Sequence, residues 1–464
     1  MPLARRIGLF DATMVVMGGI VGAGIFLNPA IVARETGSYP SMLGAWLIGG
    51  VCALIGAFVY AELGARRPLA GGQYVYLREA LHPSVGFLYG WALLVVIQTG
   101  GMADCAIAFA RYFEQLFPVR LAETTLAAIV MAGLTLVNCL GVAAGNRLQS
   151  VLMVLKIVAL AGLVVCGFAV HPAAADTVAA GGSAPAGLAL GSAPAGEGLG
   201  AALIPVLFCY GGWQTACFVA GEMKDPRRDL PRALVLGVLG VIALYTLVAI
   251  ACSRALGLSH LAVSLAPASE VAMRALGERG ATIIAGCIAI STLGFLSQSV
   301  LTAPRVYFAM AQDGLFFESV GRLSERTRAP VVAIVLQGIL AVAIAYSGEY
   351  EAILRMVVSM DFVFMGLTAA TLFVFRRRDL APATAAEREP EPEREPEAEP
   401  ERDPREPEAR MPGHPITTLV FIGICAWVVV AVWLRDPFRA VCGLALTIAG
   451  LPVYLLWNRR RKLT

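Results

Sequence analysis

Two short stretches of this 464-residue chain hold more glycine than an unbroken helix tolerates. The first is Gly18-Gly19-Ile20-Val21-Gly22-Ala23-Gly24-Ile25-Phe26. The second is Phe208-Cys209-Tyr210-Gly211-Gly212-Trp213, with Pro205 just before it. Both lie inside uncharged apolar runs. A break in such a helix frees backbone N–H and C=O groups, and a bilayer tolerates them only where protein or a cavity re-satisfies them. A helix restarting at Gly24-Ile25 presents N–H groups and partial positive charge, which suit a carboxylate. A helix ending at Phe208–Gly211 presents carbonyls, which suit an ammonium. Side by side they fit a zwitterion, the simplest being an α-amino acid. The half-helix after Trp213 offers a second N-terminus, so this pairing is not unique. The competing account is close helix packing through small residues. The breaks fall five helices apart, at corresponding positions of two halves, and that favours a transport site at the bilayer midplane.

Three further charges fall inside or beside apolar runs: Lys156, Asp104 and Asp361. A lysine near a helix centre costs about 3 kcal/mol on insertion scales, so a functional partner is expected, with snorkelling to the surface as the alternative. Helix-end or packing roles are expected for both aspartates. Ten cysteines lie in apolar stretches without a CxxC pair, and four histidines lie in polar connections. Neither set forms a metal cluster or disulfide framework, so structural roles are expected for the cysteines and neither cofactor nor metal is implied. No nucleophile–base pair or phosphate loop appears, and an enzyme is not expected.

The elements that carry these residues follow from composition. The chain is 58% hydrophobic and 15% charged, with a mean hydropathy of +0.73. Soluble domains are about 45–50% apolar and about 25% charged; a soluble enzyme and a disordered chain are both excluded. Apolar runs long enough to cross a bilayer occupy 12–33, 41–60, 85–103, 124–146, 148–170, 198–221, 233–253, 281–304, 329–347, 356–375, 415–434 and 440–458, twelve spans in all. With the N-terminus inside, the cytoplasmic segments hold 25 Lys and Arg against 7 outside. That obeys the positive-inside rule and puts both termini in the cytoplasm. Residues 381–413 alternate Glu, Pro and Arg, with 11 acidic residues and 8 prolines, and read as a disordered cytoplasmic spacer. The repeated GSAPAG at 182–187 and 191–196 reads as a flexible outer linker.

At these residues the chain resembles the amino acid–polyamine–organocation (APC) superfamily, specifically the bacterial L-type amino acid transporter (LAT) branch. The first-helix pattern G-[SA]-G-I-F matches Gly22-Ala23-Gly24-Ile25-Phe26. Tyr60-Ala61-Glu62-Leu63-Gly64, Gly71-Gly72-Gln73-Tyr74-Val75-Tyr76 and Gly86-Phe87-Leu88-Tyr89-Gly90-Trp91 resemble its next signatures. Most specific is Phe208–Trp213 leading into Gly221-Glu222-Met223-Lys224-Asp225-Pro226. The resemblance implies an all-α membrane protein of twelve transmembrane helices, a LeuT-like five-plus-five inverted repeat plus two extra helices. The repeats would occupy 1–170 and 198–378, separated by a linker at 171–197. A loop at 379–414 and a last pair of helices at 415–464 would follow.

The resemblance also implies roles. Backbone N–H groups at Ala23 and Gly24 hold the substrate carboxylate, within a site that includes Gly22 and Ile25. Carbonyls of Ile20, Phe208 and Gly211 hold the amine, and the Phe208 ring closes as a gate. Lys156 takes the place of the cation held by sodium-coupled cousins, which makes the chain sodium-independent. Ala23 replaces the usual Ser and Gln214 the frequent Asn, which leaves side-chain selectivity open. Residues 113–123 contain no Cys, so no disulfide-linked heavy subunit is expected.

The leading reading is therefore an exchanger or importer of neutral L-amino acids in the cell (inner) membrane. Its expected partners are the amino acid and the lipid bilayer, with no nucleic acid. Rivals are a proton-coupled amino acid or polyamine symporter and, further off, a transporter-like sensor. A carrier of cations should need an acidic residue at the site, and neither broken segment contains one.

Overall fold

The computed structural model describes residues 3, 5–171, 197–347, 350–380 and 409–461. The expected outer linker and nearly all of the expected 381–413 spacer lie outside them. Among the described residues the chain is helical, with one isolated backbone bridge between Ile7 and Met223.

The first apolar run is a broken helix: α1 (Leu9–Ile20), a 3-10 turn (Gly24–Phe26) and α2 (Asn28–Thr36). Gly37, at φ +63°, ends α2, a left-handed position that glycine adopts without strain. After it, Ser38 Oγ caps the start of α3 (Tyr39–Arg66) through the N–H of Ser41. A short α4 (Gln73–Ala80) leads into one long helix, Pro83–Leu116, built from α5 (Pro83–Ala92), a π turn (Leu93–Ile97) and α6 (Gln98–Leu116). Then come α7 (Glu123–Cys139) and α8 (Val142–Ala169).

The second broken run comprises α9 (Glu197–Cys209) and a 3-10 stretch (Trp213–Glu222). Beyond it lie α10 (Pro226–Leu256), the short α11 (Leu258–Val263) and α12 (Pro267–Leu276). The chain continues through α13 (Arg279–Thr302), α14 (Pro304–Gln312), α15 (Val331–Ser347) and α16 (Tyr350–Leu380). It closes with α17 (Ile416–Arg435), α18 (Pro437–Ile448) and α19 (Gly450–Arg461).

Among the described residues nine helical segments are long and apolar enough to cross a membrane, and three shorter apolar helices accompany them: α1, α7 and α15. Each of the twelve apolar runs falls on one of these twelve. One boundary is corrected. The run 124–146 is not a single helix, because α7 stops at Cys139 and Gly141, at φ +119°, turns the chain into α8. Residues 142–146 therefore open the next helix.

Large side chains such as Leu136, Val158, Val165, Ile339 and Leu419 are exposed on the outer faces of the bundle. In water they would form an adhesive belt; in a bilayer they face hydrocarbon. Inside, α1 packs on α8, α10 and the Trp213–Glu222 stretch, while α3 packs on α9 and α10. A second apolar cluster joins α6, α7, α13 and α15 through residues such as Met102, Met131, Leu296 and Ile334. The two broken helices thus sit in one packing unit, against a scaffold with its own core.

One end of the bundle is tied by ion pairs. Glu62, fully buried, accepts from Arg66 at 2.6 Å and Arg376 at 2.5 Å, and also from the backbone N–H of Met411 at 2.6 Å. Nearby Arg305 and Glu222 form a buried pair at 3.0 Å, joining α14 to the end of the second broken run. Leaving either partner of such a pair alone would cost far more than the pair itself contributes.

Candidate functional site

The two breaks meet. The backbone of Gly19 lies so close to Gly212 that a Cβ on Gly19 would stand 2.5 Å from the Gly212 carbonyl oxygen. Gly212 adopts φ +102°, so glycine is needed there for conformation as well as space. Asn28 Nδ2, at the start of α2, donates to the Pro205 carbonyl at 3.2 Å and to Cys209 Sγ at 2.9 Å. Close packing and helix breaking, which the sequence sets up as rivals, occur together.

Breaking α1 leaves carbonyls without intrahelical donors, and side chains from three other helices supply them. Lys156 Nζ, from the middle of α8, donates to Val21 O at 2.6 Å and reaches Gly18 O at 3.4 Å. Tyr245 Oη, from α10, donates to Ile20 O at 3.1 Å. Ser291 Oγ, from α13, donates to Gly22 O at 3.0 Å. Lys156 is 1% exposed, so it does not snorkel. Its ammonium sits against the C-terminal end of α1, where the helix dipole favours a cation.

Beside the breaks lies a cavity of about 190 Å³ with mostly apolar walls. Ile20, Gly22, Ala23, Gly24, Phe208 and Gly211 all line it. The N–H groups of Ala23 and Gly24 have no acceptor among the described residues, and they stand where a carboxylate could accept from them. Phe208 is 43% exposed and faces the cavity. The π turn within the Pro83–Leu116 helix also contributes, through Leu93 and Ile97, in keeping with the frequent use of π turns at functional sites.

The other expected site residues differ in position and in the partners they already have. Ile25 does not line the cavity; it is fully buried because the 3-10 turn points its side chain into the core. The Ile20 carbonyl already holds the Tyr245 hydroxyl, and the Phe208 carbonyl accepts from Gly211 N at 3.0 Å. Of the three carbonyls assigned to the amine, that of Gly211 alone has no donor among the described residues. Lys156 faces the first break, as expected, and bonds its carbonyls from behind the cavity wall.

The cavity wall also carries acid. Asp104 from α6 and Asp361 from α16 both line the cavity, although neither broken segment contains a carboxylate. Gln214 Nε2 donates to Asp361 Oδ2 at 3.1 Å, while Gln214 Oε1 accepts from Gly212 N at 3.0 Å. Gln214 therefore couples the turn of the second break to the tenth apolar run. Cys105 and Cys209 also line the cavity, so two of the ten thiols expected to be structural face the candidate site. Among the described residues no group of three or more His, Cys, Asp or Glu is placed to hold a metal.

Residues 7–444 match the family described as Amino acid permease. Over 480 residues the chain is 28% identical to the mouse (Mus musculus) Large neutral amino acids transporter small subunit 2, covering 99% of this chain and 83% of the relative. It is 27% identical to the Serine/threonine exchanger SteT of Bacillus subtilis, covering 99% of this chain and 98% of the relative. To the human (Homo sapiens) b(0,+)-type amino acid transporter 1 it is 28% identical, over 81% of this chain and 76% of the relative.

Proposed function

The chain belongs to the amino acid permease family, a family of membrane transporters rather than enzymes, and we propose that it is a sodium-independent exchanger of neutral L-amino acids working by alternating access. The observation that carries this reading is the meeting of the two breaks at one cavity. Ala23 and Gly24 offer N–H donors there, and Gly211 offers a carbonyl. The printed names of the mouse and Bacillus subtilis relatives, a neutral amino acid transporter and an exchanger, point the same way.

In this reading the twelve apolar segments are twelve spans, arranged as two five-helix inverted repeats at 1–170 and 198–378 plus a final pair. The ion-paired end of the bundle faces the cytoplasm of a cell whose inner membrane holds the protein, with both termini inside. Lys156 occupies the ground that a coupling cation would take, since its ammonium already donates to the Val21 and Gly18 carbonyls of the first break. Phe208 closes over the bound ligand from the cavity wall. With no Cys at 113–123, no linked heavy subunit is required.

Asp104 and Asp361 support a second reading, in which the cavity takes a cationic side chain or couples transport to protons. The two readings separate in one competition series against a labelled neutral amino acid. Free neutral L-amino acids should compete, while their carboxyl amides and N-acyl derivatives should not. Amides competing as well as the free acids would remove the carboxylate assignment at Ala23 and Gly24. Lysine or arginine outcompeting neutral ligands would favour the second reading.

A further inference from the structure

At the ion-paired end of the bundle, away from the cavity of the two breaks, two adjoining cavities of about 430 and 360 Å³ share Arg6, Val142 and Ala143 as walls. Six basic side chains line them: Arg5, Arg6, Arg147, Lys224, Arg326 and Arg328. All six are exposed, and none is in an ion pair among the described residues. Asp11 and Glu325 are the acidic lining residues, and Asp11 already accepts from Ser150 Oγ at 3.0 Å. The balance is strongly positive.

Four independent features converge on this place. The 28-residue helix α8 starts in it at Val142 with no side-chain cap, and the Val142 and Ala143 N–H groups have no acceptor among the described residues. Asn146, 6% exposed and lining the second cavity, has a side-chain amide engaged with no other group among the described residues, so its Nδ2 can donate to an anion. Thr327, lining the first, has an orphaned buried hydroxyl. Arg328 sits at φ +52°, a conformation that costs a non-glycine residue energy and clusters at functional positions. Gly141 lets the turns approach, since a Cβ there would already stand 3.2 Å from the Thr327 carbonyl oxygen.

We propose that these joined cavities bind a phosphate-bearing anion, held by the N-terminus of α8 and the surrounding basic side chains. Helix N-termini flanked by arginine suit phosphate oxygens. A basic pocket between helices at the membrane surface also suits the headgroup of an anionic lipid. The walls come from the N-terminal segment, the α7–α8 turn, the Lys224 connection and the 324–328 turn. A bound anion therefore bridges the unit containing the breaks to the scaffold. The site does not depend on which amino acid is carried.

The test is a melting experiment on the purified full chain in detergent. Phosphatidylglycerol is compared with phosphatidylcholine, and sodium phosphate with sodium chloride at matched ionic strength. Native mass spectrometry reads the retained lipid. The proposal expects phosphatidylglycerol to raise the melting temperature and to be retained. Arg326→Gln/Arg328→Gln should weaken retention about 30-fold, taking about 1 kcal/mol per basic side chain at 1.4 kcal/mol per decade. Arg147→Gln/Lys224→Gln, on another wall, should do the same and covers the case in which the first pair folds poorly. Arg228→Gln/Arg232→Gln, exposed cations outside the pocket, should retain the lipid. A shift with phosphate and none beyond phosphatidylcholine with the lipid would assign the same pocket to a soluble phosphate. No shift with either anion, or equal loss in all three double variants, would overturn the site.

Discussion

Lys156 Nζ lies 2.6 Å from the carbonyl oxygen of Val21, joining the middle of α8 to the end of the first half-helix. Lysine at that depth is expensive unless partnered, and here the partners are carbonyls that exist only because α1 breaks. Each feature makes the other tolerable. Under the proposed reading, the same ammonium fills the position a free cation would otherwise enter and leave.

Lys156→Ala should therefore insert normally but bind or cycle differently. Losing the donor leaves Val21 O unpaired at a cost of about 1–3 kcal/mol. Apparent affinity then changes roughly 5- to 150-fold if the whole cost falls on the bound state. Kinetics of labelled amino acid uptake by parent and variant, at matched protein yield, measure it. Unchanged kinetics would reduce Lys156 to a structural tie.

Asp361→Asn should keep a hydrogen-bonding group within reach of Gln214 while removing a charge from the cavity wall. Exchange of neutral amino acids should persist. Competition by lysine or arginine, if the parent shows any, should fall at least about tenfold, the equivalent of about 1.4 kcal/mol. Loss of neutral exchange in this near-isosteric variant would make Asp361 part of the coupling device instead.

The glycines of the breaks separate into two groups. Gly212→Ala should abolish transport and lower the yield, because a Cβ would meet the Gly19 carbonyl oxygen at 2.1 Å on a backbone at φ +102°. Gly22→Ala should fold normally, since nothing lies within 4 Å of the added Cβ. Any defect in Gly22→Ala then reports on the cavity, and substrate affinity measured against melting temperature distinguishes the two cases.

Phe208→Ala should impair exchange much more than it impairs yield. The ring is 43% exposed at the cavity, so little core packing is lost, while the Phe208 carbonyl that accepts from Gly211 N–H stays in place. Normal exchange by a well-expressed variant would demote the ring to a wall.

Much of this architecture was legible because a bilayer enforces it. Long apolar runs read directly as helices, and glycine clusters inside them read as breaks. Lys156 was conspicuous for the same reason: a lone charge in an apolar run has few inexpensive explanations. That both aspartates line the cavity is not legible in the sequence, because it depends on tertiary placement. Asp104 and Asp361 lie far apart in sequence, in helices whose breaks or caps give no sign of a cavity. Likewise nothing in the sequence near Ile20 shows that its carbonyl takes one hydrogen bond from Tyr245, 225 residues away. The turn at Gly141 was missed because the apolar composition continues across it; only the positive φ of one glycine separates α7 from α8.

The central claim is exchange of α-amino acids without sodium, and counterflow in proteoliposomes tests it most directly. Vesicles containing the purified chain are loaded with an unlabelled neutral L-amino acid or left empty, then offered the labelled amino acid in sodium or choline buffer. The account predicts uptake that depends on internal substrate and is equal in the two buffers. Uptake that is equal in loaded and empty vesicles, or that is driven by a sodium gradient, would contradict it.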